Sequence, residues 1–199
     1  RVWPSVPPVF RLRFSKNMTS ILKLRGAPAL SSSRQERLSR AVGEVLPRLA
    51  ALAAEHWYFV ELSAPLNTED TARLVDLLDA HPASAALPAG TLRLVVPRLG
   101  TISPWSSKAT DIAHQCGFDK IVRIERGIAY TIDARGVAGN AALLALLHDR
   151  MTEAVLDTLD AAEALFHHYE PQPLTTVDLL AGGRAALERA NGELGLALS

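Results

Sequence analysis

Apolar residues recur along this chain at strand spacing and helix spacing in turn. Four segments rich in β-branched or aromatic residues predict strands. These segments are Met18–Leu24, Trp57–Leu62, Leu92–Val96 and Ile121–Asp133. After each of the first three, apolar residues three or four apart predict a helix. This order predicts an α+β fold, in which a ferredoxin-like antiparallel sheet carries helices on one face and further helices follow at the C-terminus.

Residues suited to capping mark the starts of the three predicted helices. Ser33 and Glu36 have the spacing of a capping box, in which each side chain satisfies a free backbone N–H of the other. Asn67 suits the N-cap of the second helix. Ser103 followed by Pro104 suits the N-cap and first position of the third. Each predicted helix therefore has a local signal for where it begins.

The strand predicted over Ile121–Asp133 has the clearest alternation in the sequence. Its apolar face holds Val122, Ile124, Ile128, Tyr130 and Ile132, and its polar face holds Arg123, Glu125, Thr131 and Asp133. Arg126 is an exception, because it is charged yet falls on the apolar face. From Asn140 to Phe166 the spacing becomes helical, and a last helix is predicted from about Thr176.

Composition limits the classes of partner. The 199 residues have a formal net charge of zero, so no overall field steers the chain towards nucleic acid or an anionic membrane. No apolar run approaches the roughly 20 residues that span a bilayer. The single cysteine, Cys116, cannot form an internal disulfide, which suits a reducing cytoplasm. We therefore predict a cytoplasmic protein without nucleic-acid or membrane partners.

The pattern also predicts how the chain is divided. Residues 1–17 contain three prolines and little periodicity, and no acid occurs before Glu36. We interpret residues 1–17 as a disordered or non-native extension, with a targeting segment as the alternative. The patterned chain then divides into a domain over residues 18–147, connecting helices over 148–170 and a further segment over 171–199.

The sequence predicts no assembled catalytic or metal site. It has no glycine-rich nucleotide-binding motif, and its six histidines have no metal-ligand spacing. Cys116 falls on a predicted buried helix stripe, where a cysteine behaves as a small hydrophobe. The other members of that stripe are Ala109, Ile112 and Ala113. A series of acids is typical of a solvated helix face rather than an acid–base pair; its members are Asp149, Glu153, Asp157 and Asp160.

The loop from Arg98 to Lys108 is the one candidate binding segment. It leads from a strand end into a helix N-terminus, where free N–H groups attract anions, and its side chains add donors. One interpretation is that this loop binds a phosphate or a partner's carboxylate. The alternative is a helix start that satisfies its own N–H groups.

The same loop carries a family resemblance. Four stretches in this order resemble the large, single-chain phosphoribosylformylglycinamidine synthases. They are Leu24–Leu30, Gly100–His114 with Arg123–Arg126, Leu147–Glu153, and Val177–Leu180 leading to Leu194–Leu198. The resemblance implies that residues 18–147 correspond to the N-terminal domain, which is similar to the small subunit of multi-chain versions. It also implies that residues 171–199 begin the linker domain.

The resemblance implies a role in de novo purine synthesis. Enzymes of that family use ATP, Mg²⁺ and glutamine to convert formylglycinamide ribonucleotide to formylglycinamidine ribonucleotide. Their synthetase motifs and their Cys-His-Glu glutaminase triad do not occur in this sequence, so no catalytic residue can be assigned and no cofactor is expected within it. We therefore expect a truncated ligase whose present part is a scaffold for the synthetase domain.

Two other functions stay open, and one set of contact residues is predicted. The chain could be a free-standing module that binds a separate synthetase chain, or an independent anion-binding protein. The predicted substrate-proximal or domain-interface residues are Arg98, Thr101, Ser103, Trp105, Ser106, Ser107 and Lys108.

Overall fold

The structure is a computed structural model that describes residues 20–82, 87–167 and 176–194, so the predicted extension over residues 1–17 lies outside it. The strands are β1 (Ser20–Pro28), β2 (Ala51–Leu62), β3 (His81–Pro82), β4 (Thr91–Pro97), β5 (Ile121–Asp133) and β6 (Glu153–Leu156). The α-helices are α1 (Ser32–Val45), α2 (Thr68–Leu77), α3 (Pro104–Gln115), α4 (Ala141–Leu147) and α5 (Leu179–Leu194). A 3₁₀-helix spans Asp160–Phe166. The chain forms two compact units that divide after His167.

The first unit is built on an antiparallel sheet with strand order β3-β1-β2-β5-β4-β6. Because β5 is antiparallel to both of its neighbours, β2 and β4 run parallel to each other with β5 between them. A crossover through α2 joins those two parallel strands. This split β-α-β arrangement confirms the predicted α+β, ferredoxin-like fold.

The α-helices of this unit cover one face of the sheet. Even-numbered residues of β2 and β5 stand opposite each other on that face, as Val60 does with Ile124. They pack against Leu74 of α2 and Ala113 of α3, and a neighbouring cluster adds Val42 of α1 and further residues of α4. The hydrophobic core therefore lies between the sheet and these helices.

The opposite face of the sheet is buried as well. Trp57 and Phe59 of β2 pack there with Leu94 of β4 and with Ala162 and Leu165 of the 3₁₀-helix. This explains why Glu125 and Thr131 are buried although they belong to the polar face of β5. The sequence pattern placed helices on one face alone, and the 3₁₀-helix provides the second cover.

The predicted helical stretch from Asn140 to Phe166 is confirmed over Ala141–Leu147 and is wrong over Glu153–Leu156, so the predicted connecting helices do not fill the described residues after 148. Helix α4 ends at Leu147, and residues Glu153–Leu156 instead extend the sheet by pairing with β4. A free edge of β4 offers backbone partners that helical periodicity cannot reveal.

The predicted acidic helix face is therefore wrong as a helix, although two of its acids, Asp157 and Asp160, are solvated with side chains 81% and 86% exposed. Asp157 pairs with Arg93 at 2.9 Å, and Asp160 pairs with Lys23. Opposite the 3₁₀-helix, the Arg123 guanidinium lies 4.8 Å from the centre of the Phe166 ring. The Asp160 and Phe166 contacts link the 3₁₀-helix to β1 and β5, whereas Asp157 lies just before that helix and contacts β4. Exposed ion pairs of this kind contribute little to stability.

Two of the three predicted helix starts are confirmed. Asn67 Oδ1 accepts the Asp70 N–H at 2.6 Å, and Ser103 Oγ accepts the Ser106 N–H at 3.0 Å. The prediction that Ser33 and Glu36 form a capping box at the start of α1 is wrong. Ser31 is the N-cap residue, and its side chain makes no capping hydrogen bond. The first turn of α1 therefore lacks the side-chain capping bond that the sequence predicted.

Helix α5 belongs to the second compact unit. It is broken at Gly183, which has a φ of 53° and a ψ of −148°. Glycine adopts this conformation without the steric cost that a Cβ would impose. In the described part of the chain, no helix has both the length and the apolar character needed to cross a bilayer.

Candidate functional site

Helix α3 lies along an edge of β5 and takes the place of a neighbouring strand. Ser106 Oγ donates to the Ile124 C=O at 2.6 Å, and the Ile124 N–H donates to Thr110 Oγ1 at 3.0 Å. One turn later, His114 Nε2 donates to the Ile121 C=O at 2.6 Å. Ser106, Thr110 and His114 are four residues apart, so they form one polar stripe on the helix. This stripe satisfies backbone groups of β5 that a strand would otherwise bind.

Replacing Ser106 with alanine is expected to lower the free energy of unfolding by about 1–3 kcal/mol, because the buried Ile124 C=O loses its donor. Ser107→Ala is the matched control. The Ser107 side chain is exposed and its bond to the Ser103 C=O is 3.5 Å long, so we expect a change within about 0.5 kcal/mol. Urea denaturation of both variants measures the difference, and equal losses would contradict the role of the stripe.

The N-terminus of α3 already holds an anion from the protein itself. Glu125 of β5 is fully buried. Its Oε1 accepts the Ser103 N–H at 3.2 Å, and its Oε2 accepts the Ser103 hydroxyl at 3.0 Å. A carboxylate is stabilised at this end of a helix by the free N–H groups and the helix dipole. The Ser103 N–H that the sequence offered to an outside anion is therefore bonded to Glu125.

Trp105, in the first turn of α3, is the centre of an aromatic and cationic stack. Its ring lies 5.8 Å from that of Tyr58 of β2, at an interplanar angle of 22°. The Arg126 guanidinium also lies over the Trp105 ring, 4.8 Å from its centre. No carboxylate of the described residues forms an ion pair with Arg126. The charged exception on the apolar face of β5 is thus held by a cation–π contact.

A cleft of about 280 Å³ opens beside this stack. The pairing of β4 with β5 runs from Thr91–Ile132 to Val95–Ile128 and then stops. If the strands stayed paired in the same register for two more residues, Pro97 would stand opposite Arg126. Proline has no N–H to donate to a partner strand, so the pairing does not continue there. The lining residues are His56, Val95, Val96, Pro97, Ser103, Pro104, Trp105, Arg126, Gly127, Ile128, Thr152 and Glu153.

His56 is the titratable group of the cleft with a shifted pKa. Burial lowers the pKa of His56 below its ordinary value, and the charge of Arg126 lowers it further. A hydrogen bond with the Gly127 backbone opposes these two effects. Within the described chain, the buried Nδ1 atom of His56 has no hydrogen-bond partner. Burial and the charge of Arg126 together favour the neutral imidazole in the folded protein.

The lowered pKa of His56 predicts a loss of stability in mild acid. The unfolded chain takes up a proton near pH 6.5, whereas the folded chain resists it, so the unfolded state binds more protons below that pH. The free energy of unfolding is therefore highest above pH 6.5, where His56 is neutral in both states. It decreases as the pH falls from 6.5 towards the pKa of His56 in the folded protein. The slope attributable to His56 is at most about 1.4 kcal/mol per pH unit.

Urea midpoints at pH 7.5, 6.5 and 5.5 measure this dependence, with His56→Gln as the control. The variant keeps a polar side chain that does not titrate, so its stability should fall less between the first and last of these values. Equal slopes in the two proteins would contradict the assignment to His56.

A second, apolar surface shares Trp105 with the cleft. This α2–α3 groove has a volume of about 200 Å³ and is lined by Leu77, Leu78, Trp105, Lys108, Ala109 and Ile112. Leu77 and Ile112 are 41% and 43% exposed. The predicted buried stripe of α3 is therefore wrong for Ile112 and for Cys116, which is also exposed. The stripe is confirmed for Ala113, which is buried in the core, and for Ala109, which packs against the core while partly buried.

The predicted contact residues fall into three groups. Ser103 and Trp105 line the cleft, and Trp105 and Lys108 line the α2–α3 groove. Ser106 is buried beneath the helix, whereas Arg98, Thr101 and Ser107 are exposed. Sequence reasoning missed His56, Tyr58 and Glu153, because strand pairing brings them to Arg126 from distant parts of the chain. Arg126 itself was signalled by its place on an apolar strand face.

No three metal-ligating side chains lie together among residues 20–82, 87–167 and 176–194. These residues therefore do not fit the Mg²⁺ that the resemblance implies for the whole enzyme, and no step is assigned to the ion here.

The fold and these two surfaces define a ferredoxin-like α+β domain whose candidate sites are a small cleft and an adjoining apolar groove. Residues 55–166 match the family described as formylglycinamide ribonucleotide amidotransferase N-terminal. The match includes more than half of the chain, from within β2 to the end of the 3₁₀-helix. The chain belongs to this family, which confirms the resemblance found in the sequence.

Proposed function

We propose that this chain is the front part of phosphoribosylformylglycinamidine synthase and that its first unit is a non-catalytic scaffold. In this proposal the domain docks on the synthetase region, which converts formylglycinamide ribonucleotide to formylglycinamidine ribonucleotide with ATP, Mg²⁺ and glutamine. The family match over residues 55–166 supports the identity of the parent enzyme. The lone exposed Cys116 is compatible with work in a reducing cytoplasm.

The α2–α3 groove is the observation that carries the docking proposal. Leu77 and Ile112 expose large apolar side chains next to each other, with the Trp105 ring between the groove and the cleft. Contiguous apolar surface rimmed by polar groups is typical of a protein contact site. Lys108 supplies the polar rim, and Trp105 is the type of residue that anchors interfaces. We expect the synthetase surface that covers this groove to be apolar with an acidic residue near Lys108.

A binding assay with two matched variants tests this docking. Ile112→Glu places a charge in the α2–α3 groove, whereas Leu146→Glu places one on α4, where the side chain is 40% exposed. The partner is the synthetase portion of a family enzyme prepared without its own front domain. We expect Ile112→Glu to weaken binding by roughly tenfold or more and Leu146→Glu to leave it within about twofold.

The two variants also distinguish the possible failures. If the unaltered chain does not bind the synthetase portion, the scaffold role fails. If it binds and both variants bind equally well, the scaffold role stands but the α2–α3 groove is the wrong surface. Circular dichroism and urea midpoints confirm that each variant is folded. The isolated chain should also show neither glutaminase nor amidation turnover, and measurable turnover would refute its non-catalytic role.

A further inference from the structure

We propose that the cleft beside Arg126 binds a small zwitterion of the α-amino-acid type. Its carboxylate lies against the Arg126 guanidinium, and its ammonium lies towards Glu153 and the backbone of β5. This inference does not depend on the docking proposal, because it concerns a different cavity and a free small molecule. It rests on the opposite charges at the cleft, on an open strand edge between them and on the size of the cavity.

Arg126 forms the cationic end of the cleft. Its guanidinium is fixed over the Trp105 ring at 4.8 Å and contacts the Tyr58 hydroxyl. An arginine stacked in this way keeps its planar edge of N–H donors available. No described carboxylate forms an ion pair with it, although three other bases of the sheet, Lys23, Arg25 and Arg93, are paired. A ligand carboxylate can therefore occupy a position that the protein leaves empty of counter-charge.

Glu153 forms the anionic end of the cleft. It stands opposite Pro97 in the β4–β6 register. One oxygen, Oε2, accepts the Asp149 N–H at 2.8 Å and so fixes the side chain. Oε1 has no hydrogen bond among the described residues and stays available to a donor. A simple anion would be opposed by this carboxylate, whereas an ammonium group would be attracted to it.

The open edge of β5 adds a second acceptor. The N–H and C=O of Ile124 point towards α3, away from β2, as their bonds to Thr110 and Ser106 show. Backbone groups repeat their direction every two residues along a strand, so those of Arg126 point the same way. In that direction lies Pro97, which has no N–H for the Arg126 C=O. The carbonyl therefore faces the cleft as an acceptor for an ammonium N–H.

The dimensions of the cleft suit an amino acid. Arg126 and Glu153 lie on β5 and β6, on either side of β4, so their backbones are separated by at least two strand spacings, about 10 Å. A volume of about 280 Å³ lies at the small end of ligand pockets, which run from about 300 to 1,000 Å³. Between the charged ends, the walls include Val95, Pro97 and Ile128. These walls favour an aliphatic side chain over a polar one.

Titration with three related probes tests this inference on the full 199-residue chain. The probes are L-leucine, N-acetyl-L-leucine, which lacks the ammonium, and L-leucinamide, which lacks the carboxylate. Binding is measured by calorimetry and by NMR shifts of the Trp105 indole and the Gly127 amide. We expect L-leucine to bind in the millimolar range or tighter, and each derivative to bind roughly tenfold more weakly or not at all.

Three variants assign the two ends of the ligand. Arg126→Met should weaken L-leucine binding by roughly tenfold and remove the advantage of L-leucine over L-leucinamide. The Glu153→Gln variant should bind L-leucine no more tightly than N-acetyl-L-leucine. Arg135→Met, at an exposed arginine outside the cleft lining, is the control and should bind as the unaltered chain does.

The possible contrary results are equally specific. The inference fails if L-leucine shows neither heat nor shifts at 20 mM, if both derivatives bind as tightly as L-leucine, or if Arg126→Met and Glu153→Gln leave binding unchanged. Inorganic phosphate is a separate arm of the titration. If phosphate binds at Arg126 more tightly than L-leucine and Glu153→Gln strengthens it, the cleft is a simple anion site and the zwitterion assignment is overturned.

Discussion

Replacing Glu125 with glutamine is expected to lower the free energy of unfolding by about 2–3 kcal/mol. Both carboxylate oxygens accept hydrogen bonds from Ser103, one from the N–H and one from the hydroxyl. Glutamine has a single acceptor oxygen, so one Ser103 donor would face an NH₂ group in a fully buried site. The change also removes the negative charge that complements the N-terminus of α3.

A double-mutant cycle separates the bond from the helix cap. Ser103→Ala removes the hydroxyl that donates to Glu125 Oε2 but leaves the backbone N–H that donates to Oε1. It also removes the cap of α3, because Ser103 Oγ accepts the Ser106 N–H. If Glu125 acts through Ser103, the double variant should lose less stability than the sum of the two single losses. Fully additive losses in urea denaturation would show that Glu125 acts independently of the Ser103 hydroxyl.

Replacing Gly90 with alanine should produce a still larger loss, about 3–5 kcal/mol. Gly90 precedes β4 and has a φ of 137°, a conformation that side chains disfavour. A Cβ built there would lie 2.8 Å from the carbonyl carbon and oxygen of Ile132. Those atoms belong to the backbone of the central strand β5, so they cannot move aside without disturbing the sheet.

Gly117→Ala is the matched control for Gly90→Ala. Gly117 also has a positive φ, 85°, but its Cβ would meet no atom within 4 Å. We therefore expect backbone strain alone, about 1 kcal/mol. Thermal or urea denaturation of the two variants compares them directly. A loss at Gly117 as large as that at Gly90 would mean that strain, and not the contact with Ile132, sets both effects.

The fold was predictable where apolar and polar residues alternate along a long element. The strand predicted over Ile121–Asp133 has the observed bounds, because its alternation continues for its whole length. The first half of β2, Ala51–His56, was missed. Alanine-rich sequence has little intrinsic strand preference, and these residues become a strand because β5 pairs with them along their length.

The chain after Leu147 was mispredicted for the same physical reason. Apolar residues there recur at helical spacing, yet Glu153–Leu156 gains backbone partners on β4. The acids Asp157 and Asp160 gain basic partners at Arg93 and Lys23. Such gains depend on residues more than fifty positions away, and local periodicity does not record them.

The candidate site was predictable in part. The loop into α3 was recognised, and its Ser103 and Trp105 do line the cleft. The cleft itself was not foreseen, because it depends on where the β4–β5 pairing stops. Its anionic end, Glu153, had been placed on a solvated helix. The predicted substrate-proximal or interface role of the loop residues stays a prediction that the binding experiments address.

The polar stripe of α3 also has a consequence for self-association. Ser106, Thr110 and His114 occupy backbone groups of β5 that would otherwise accept an incoming strand. A chain whose α3 detaches, even briefly, presents Ile121–Arg126 as a short template for β-augmentation by another molecule. Helix α3 therefore covers an edge of β5 at which another strand could otherwise pair. Conditions that loosen it should therefore promote aggregation before the rest of the sheet unfolds.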